Sequence, residues 1–283
     1  MKRCKEQAAR LLFALSACVC IAAIAAICLF LFANGIPGIA KIGFFEFLSG
    51  SDWSPSSGAY GIFPMILGSI YVTAGAALLG VPIGIFTAVF LAKFCPNRLY
   101  KFCKPLVDGL AGIPSVVYGF FGLMVIVPFI RTQFGGSGTS LLAASLVLGI
   151  MILPTVIGVS EAAIRAVPQS YYEGSLALGA SKERSVFFAV LPAAKSGITS
   201  AVLLGIGRAV GETMAVIMVA GNQAVVPNAL TDGVRTLTAN IVLEMGYATD
   251  LHREALIATA VVLFVFILLI NLSFSAMKRR KTL

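Results

Sequence analysis

The chain has 283 residues, 59% of them hydrophobic and only 12% charged, with a net charge of +9. A soluble domain carries about 25% charged residues. Half that density, with long apolar runs, excludes an ordinary soluble enzyme and reads as a chain that crosses the membrane repeatedly. The positive charge does not read as a nucleic-acid surface, because the basic residues fall in short clusters beside apolar runs and not along one face.

In chain order, Lys2, Arg3, Lys5 and Arg10 precede an apolar run at 11–33. That run exceeds the roughly 7–15 residues of a signal-peptide core, which predicts an uncleaved anchor. Residues 34–62 hold Phe44, Phe45, Phe47, Trp53 and Tyr60. Aromatics at this density beside a span predict an external segment lying in the membrane interface. A second span is expected at 63–92, where Gly80 and Gly84 around Pro82 offer a small-residue packing seam. The third and fourth are expected at 106–130 and 140–162, with Asp108 opening one and Glu161 closing the other in local structural roles. Gly135, Gly136, Ser137 and Gly138 between them form a turn without the lysine of a phosphate-binding loop. The fifth and sixth spans are expected at 198–221 and 255–277. Between them, 222–254 is moderately apolar and predicts a re-entrant or interfacial helix, which membrane physics tolerates only when buried against protein.

Each run reaches the ~20 residues a helix needs to cross a bilayer. Backbone groups in lipid must pair within the segment, so the spans are helices. Sixteen basic residues fall on the side of both termini, four (Lys41, Arg131, Arg235, Arg253) on the other, and Arg208 falls inside span five. This bias predicts cytoplasmic termini. The organisation read from the sequence is an N-terminal helix with its external segment at 1–62, a membrane domain at 63–277, and a basic cytoplasmic tail at 278–283.

Cys18, Cys20 and Cys28 lie in an apolar run, and Cys95 and Cys103 lack a second pair, so neither a disulfide framework nor a metal site is expected. His252, the single histidine, has no evident partners and supports no metal or catalytic role.

Two features bear chemistry. The first is a polar island at 171–195, YYEGSLALGASKERSVFFAVLPAAK, between spans four and five. Pro168 can start one short helix, Gly179 permits a sharp turn, Ser181 is a natural cap for a second helix, and Pro192 is expected to end or kink it. A short helix held between two spans can transmit a push, and its small and apolar residues suit a groove on a partner. The second is Arg208 and Glu212 within span five, GIGRAVGETMAVIMVAG. A charge there costs about 2.5–3.5 kcal/mol. Four residues apart on one helix, the two are expected to share a face about one turn apart. They read either as a structural ion pair or as a pathway site, with Arg208 meeting an anion through paired donors and Glu212 tempering the grip. Gly207 and Gly211 add a seam for a neighbouring helix.

Glu173, Gly174, Ser175, Gly179, Leu191 and Pro192 resemble the cytoplasmic coupling motif of type I ABC importer permeases. Gly-Ser replaces the usual Ala-Ala, and Ala189 stands where an isoleucine is usual. GRAVGETMAV and AGIPSVVYGFFG are similar to the phosphate-specific, PstC-type branch. The resemblance implies an all-α, six-helix MetI-like fold and import of inorganic phosphate by a multi-pass subunit of the bacterial cytoplasmic membrane. It also implies a second homologous permease, two ATP-binding subunits and an extracytoplasmic phosphate-binding protein as partners. The chain has no G-x-x-x-x-G-K-[ST] stretch, so no cofactor is expected of its own and ATP hydrolysis falls to the partner ATPase. The alternatives are a permease for sulfate or molybdate, or a secondary anion transporter, which has no use for the loop.

Overall fold

The computed structural model describes residues 2–279. Arg280 and Lys281 of the basic tail lie outside the described residues. Helix α1 runs Lys2–Ile42, and a short α2 covers Phe44–Ser49. Strands β1, Trp53–Ser54, and β2, Ala59–Tyr60, pair antiparallel with Trp53 opposite Tyr60. Helix α3, Phe63–Val89, ends in a wide π turn at Phe90–Phe94. Then come α4, Asn97–Ala111, and α5, Ser115–Phe121, which passes through a π turn at Gly122–Ile126 into α6, Val127–Phe134. Helix α7 is Leu141–Arg165 and α8 is Gln169–Ala177. Helix α9, Lys182–Ser185, joins α10, Leu191–Gly211, through a π turn at Val186–Val190. The chain closes with α11, Met214–Val219, α12, Leu237–Glu244, and α13, Asp250–Arg279.

Among the described residues, six stretches are long and apolar enough to cross a membrane: Arg10–Ile42, Phe63–Phe94, Ser115–Phe134, Leu141–Arg165, Lys182–Gly211 and Asp250–Ser273. The most apolar window of the first is entirely unburied, whereas 61% of the window in α7 is buried. An apolar stretch with so much of its surface outside the protein core is stable in lipid, and α7 is the post around which the others stand. Residues at Gly80 and Gly84 bring α3 against Ile152 and Val156 of α7 so closely that a Cβ at either glycine would overlap them. One apolar cluster joins Val72, Val147, Met151 and Val219 around the middle of α7. A second gathers Val89, Ile164, Val190 and Tyr172 at the end that carries α8. A third, with Phe47, Ile62, Leu237 and Ala258, forms at the hairpin end.

Several expectations change. Helix α1 does not stop near 33 but continues through Pro37 to Ile42, because its last turns lie along α13, with Phe32 edge-on to Phe264 and Lys41 Nζ 2.6 Å from Glu254. The third span starts at Ser115 and not at 106. Residues 106–111 belong to α4, which breaks off at Gly112–Pro114, since the residue before a proline disfavours helix. Asp108 therefore sits on α4, where it pairs with Lys104 at 2.9 Å. The aromatic segment at 34–62 folds onto the bundle through Phe47, fully buried, while Phe44 and Phe45 point outward at 58% and 81% exposure. Residues 236–240 are buried, which meets the condition set for a re-entrant segment.

Candidate functional site

The loop between α7 and α10 is built by its punctuation. Pro168 caps α8, and the chain then turns at Gly179, whose φ of +84° is a conformation that side-chain-bearing residues resist. A Cβ at Gly179 would meet nothing within 4 Å, so the turn is required by the backbone and not by crowding. The Ser181 hydroxyl accepts from the Arg184 N–H at 3.2 Å and starts α9. Pro192 does not end this second helix. It falls just after the π turn at Val186–Val190, at the second residue of α10, so the helix widens ahead of the proline ring as at a π-bulge, and Lys182–Gly211 still runs as one rod. Glu173 and Gly174 are exposed, as is Leu178 at 91%, an apolar tip open to a partner. The loop is fastened beneath by Tyr172, which packs in the second cluster under the Lys93 ammonium, 5.7 Å from the ring centre.

The rod ends at the two membrane charges. Helix α10 stops at Gly211, and Glu212 adopts an extended backbone (φ −70°, ψ 134°). Arg208 and Glu212 thus do not share a continuous helix face, and they form no ion pair. Arg208 Nη1 donates to Thr155 Oγ1 of α7 at 3.4 Å. Glu212 Oε1 accepts from the Ala215 N–H at 3.2 Å, satisfying an open donor at the start of α11. Its carbonyl accepts from the Thr238 hydroxyl at 3.0 Å, which ties the break to α12. A Cβ at Gly207 or Gly211 would touch nothing in this chain, so their seam faces no helix of its own fold.

Two further carboxylates organise the ends of the bundle. Glu161, whose side chain is 3% exposed, accepts from Arg165 Nε at 2.8 Å and lies 3.2 Å from Lys104 Nζ. Arg165 also donates to the Leu91 carbonyl at 2.9 Å and stacks on Tyr100. Burial alone would lower the Lys104 ammonium pKa, but its bonds to Asp108 and Glu161 outweigh this and hold it raised. Opposite, Glu244 takes Arg235 Nη1 at 2.6 Å, Trp53 Nε1 at 2.9 Å and His252 Nε2 at 2.9 Å. His252 therefore does have partners: Glu244 and the rings of Trp53, Tyr60 and Tyr247. The sequence reading passed over Thr155, Glu244 and the Trp53 contact. Thr155 had one local signal, a hydroxyl beside Pro154 in an apolar span; Glu244 had another, a lone acid in an apolar stretch.

The family described as binding-protein-dependent transport system inner membrane component matches residues 80–282. The chain is 42% identical over 281 residues to the probable ABC transporter permease protein YqgH of Bacillus subtilis, covering 94% of this chain and 90% of that one. It is 34% identical to the phosphate transport system permease protein PstC of Mesorhizobium japonicum, over 85% of this chain and 80% of the relative. In structure it resembles a chain of the inward-facing MetNI methionine ABC transporter, with TM-score 0.62 and 22% identity over 81% of this chain and 99% of that one. It also resembles a chain of a bacterial ABC transporter involved in import of the acidic polysaccharide alginate, with TM-score 0.65 and 15% identity over 94% and 95%. The fold is that of the MetI-like ABC importer permeases.

Proposed function

Since the chain belongs to the binding-protein-dependent transport system inner membrane components, we propose that it is the membrane-spanning subunit of an ATP-driven importer of inorganic phosphate. The likeness to a phosphate transport permease across most of the chain carries the substrate. The chemistry of Arg208 agrees with it. A guanidinium with one 3.4 Å bond to a neutral hydroxyl keeps donors for an oxyanion. Glu212, at the helix break beside it, is the second pathway residue.

A second homologous permease completes the bundle, and the open Gly207–Gly211 seam favours such a neighbour. Two ATP-binding subunits take the coupling loops, at Glu173, Gly174, Ser175, Gly179 and the rod base at Leu191 and Pro192. An extracytoplasmic binding protein delivers phosphate to the hairpin end. The excess of basic residues at the α8 end supports cytoplasmic termini. ATP is bound and hydrolysed by the partners, and this chain is the permease and no enzyme. When the ATPase pair closes on α8, the push enters a rigid helix of 30 residues, about 45 Å long, that ends beside Arg208.

The test is phosphate uptake in a strain lacking its own permease and complemented with this chain, with sulfate and molybdate as competitors. Uptake resistant to both competitors is the expected result. Uptake abolished by excess sulfate or molybdate, or uptake that needs no ATPase partner, overturns the proposal.

A further inference from the structure

Helix α4 connects two membrane spans. It begins two residues past Cys95, just after the span Phe63–Phe94, and ends four residues before the span that opens at Ser115. The chain leaves and re-enters the membrane on one side, so α4 is held at the level of the bilayer surface. Its sequence, NRLYKFCKPLVDGLA, has three sectors. Tyr100, Cys103 and Val107 pack into the cluster at the α8 end, and Lys104 reaches Glu161. Leu99, Phe102, Leu106 and Leu110, 42%, 66%, 55% and 38% exposed, face away from the bundle. At 100° per residue these four fall within about 80° of one another. Beside them, Arg98 and Lys101 are exposed, and among the described residues neither has an acidic partner.

An apolar stripe bordered by a basic edge is the pattern of a helix lying where hydrocarbon meets headgroups. We propose that α4 is an inner-leaflet interfacial helix whose apolar stripe rests on acyl chains and whose Arg98 and Lys101 bind anionic lipid headgroups. This rests on the orientation given under Proposed function. Charge complementarity selects lipid as the occupant: the cytoplasmic leaflet is negatively charged, and a protein covering the stripe would leave the two free cations without use. The contact has somewhere to go. The Tyr118 hydroxyl donates to the Leu110 carbonyl at 2.8 Å, linking α4 to α5. The cluster that α4 packs against also holds Tyr172 of the coupling loop. A lipid that fixes the height of α4 therefore acts on the base of that loop.

The experiment places a tryptophan on the stripe, Phe102→Trp, in the assembled transporter. Vesicles contain phosphatidylcholine and phosphatidylglycerol, with one lipid brominated at a time. The emission of the unsubstituted transporter, which includes Trp53, is subtracted. Both brominated lipids are expected to quench the new signal. Brominated phosphatidylglycerol should act at a mole fraction about 5-fold lower for one cation and up to about 25-fold lower for both, at ~1 kcal/mol each. In the Arg98→Gln/Lys101→Gln double variant the two lipids should quench equally. Leu106→Trp gives the same readout should Phe102→Trp fail to assemble. Absence of quenching by either lipid means that protein, such as the second permease, covers the stripe, and it overturns the proposal. Equal quenching before Arg98 and Lys101 are changed overturns headgroup binding. Absence of phosphate uptake by the unsubstituted transporter, with the lipid preference intact, upholds the α4 proposal and counts against the importer reading alone.

Discussion

Arg235 and Arg208 show two uses of the same side chain. Arg235 is firmly held: Nε donates to the Asn222 carbonyl at 2.9 Å, and Nη1 donates to Asn240 Oδ1 at 3.0 Å and Glu244 Oε1 at 2.6 Å. Its side chain is 18% exposed and its carboxylate partner 9%. Arg208 has one 3.4 Å bond to a threonine hydroxyl and no ion pair. A buried charge is tolerated when it is paired and hydrogen-bonded, and Arg235 is both, so it is part of the frame. A guanidinium left with free donors in a membrane-spanning helix calls for a different reason, and the proposed pathway role offers one.

This contrast breaks first at Glu244. Glu244→Ala leaves Arg235 without its counter-charge and removes the acceptor for Trp53 and His252, which tie the hairpin and α13 to α12. Breaking a buried pair costs about 3–5 kcal/mol. The expected outcome is a large fall in thermal midpoint or little folded protein in detergent, read by size-exclusion chromatography. Retained stability would return Arg235 to the same class as Arg208.

Arg208→Gln is expected to do the reverse. Only a weak bond to Thr155 is lost, so the thermal midpoint should barely move. A charge-assisted bond to an anion is worth about 1.5–3 kcal/mol, so phosphate uptake should fall at least roughly tenfold in a normally assembled complex. Normal uptake would remove Arg208 from the pathway.

Much of the frame was legible and some of the site was not, for a physical reason. The number of spans, six, follows from apolar length, although the third starts later than expected, at Ser115, and the fifth covers Lys182–Gly211 and not 198–221; the Gly179 turn and the Ser181 cap follow from local backbone chemistry. Interactions at helical spacing, such as Glu161 with Arg165, also follow from sequence. The Glu244 hub does not, because Trp53 reaches it across 191 residues of chain. The helix break at Glu212 was hidden for a related reason. Gly211 and Glu212 fit a continuing helix, and the extended turn is held by the distant hydroxyl of Thr238. Pro192 was expected to end or kink its helix; the helix does not end there but widens into the π turn just before it.

Gly179 extends the comparison to the other end of the rod. Gly179→Leu forces a side chain into φ +84° at about 1–2 kcal/mol, but no atom of this chain stands where the side chain begins. The protein should fold and insert normally. The added bulk sits beside the exposed Leu178 tip, so binding to the ATPase and its stimulation should be lost. Normal ATPase stimulation by this variant would remove the loop from the coupling role.

The finest test separates Arg208 from its support. Thr155→Val keeps the shape of the side chain and deletes the single hydroxyl that Arg208 touches in this chain. A neutral hydrogen bond contributes about 0.5–1.5 kcal/mol, and at 3.4 Å this one belongs at the weak end. Uptake should fall about two- to fivefold, and Thr155→Ser should restore it. An effect as large as that of Arg208→Gln would mean that Thr155 fixes the guanidinium entirely, or that its hydroxyl proton is itself given to the anion. No effect in Thr155→Val would mean that the anion alone orients Arg208. The two arginines would then differ more sharply, one held by its own fold and one by its cargo.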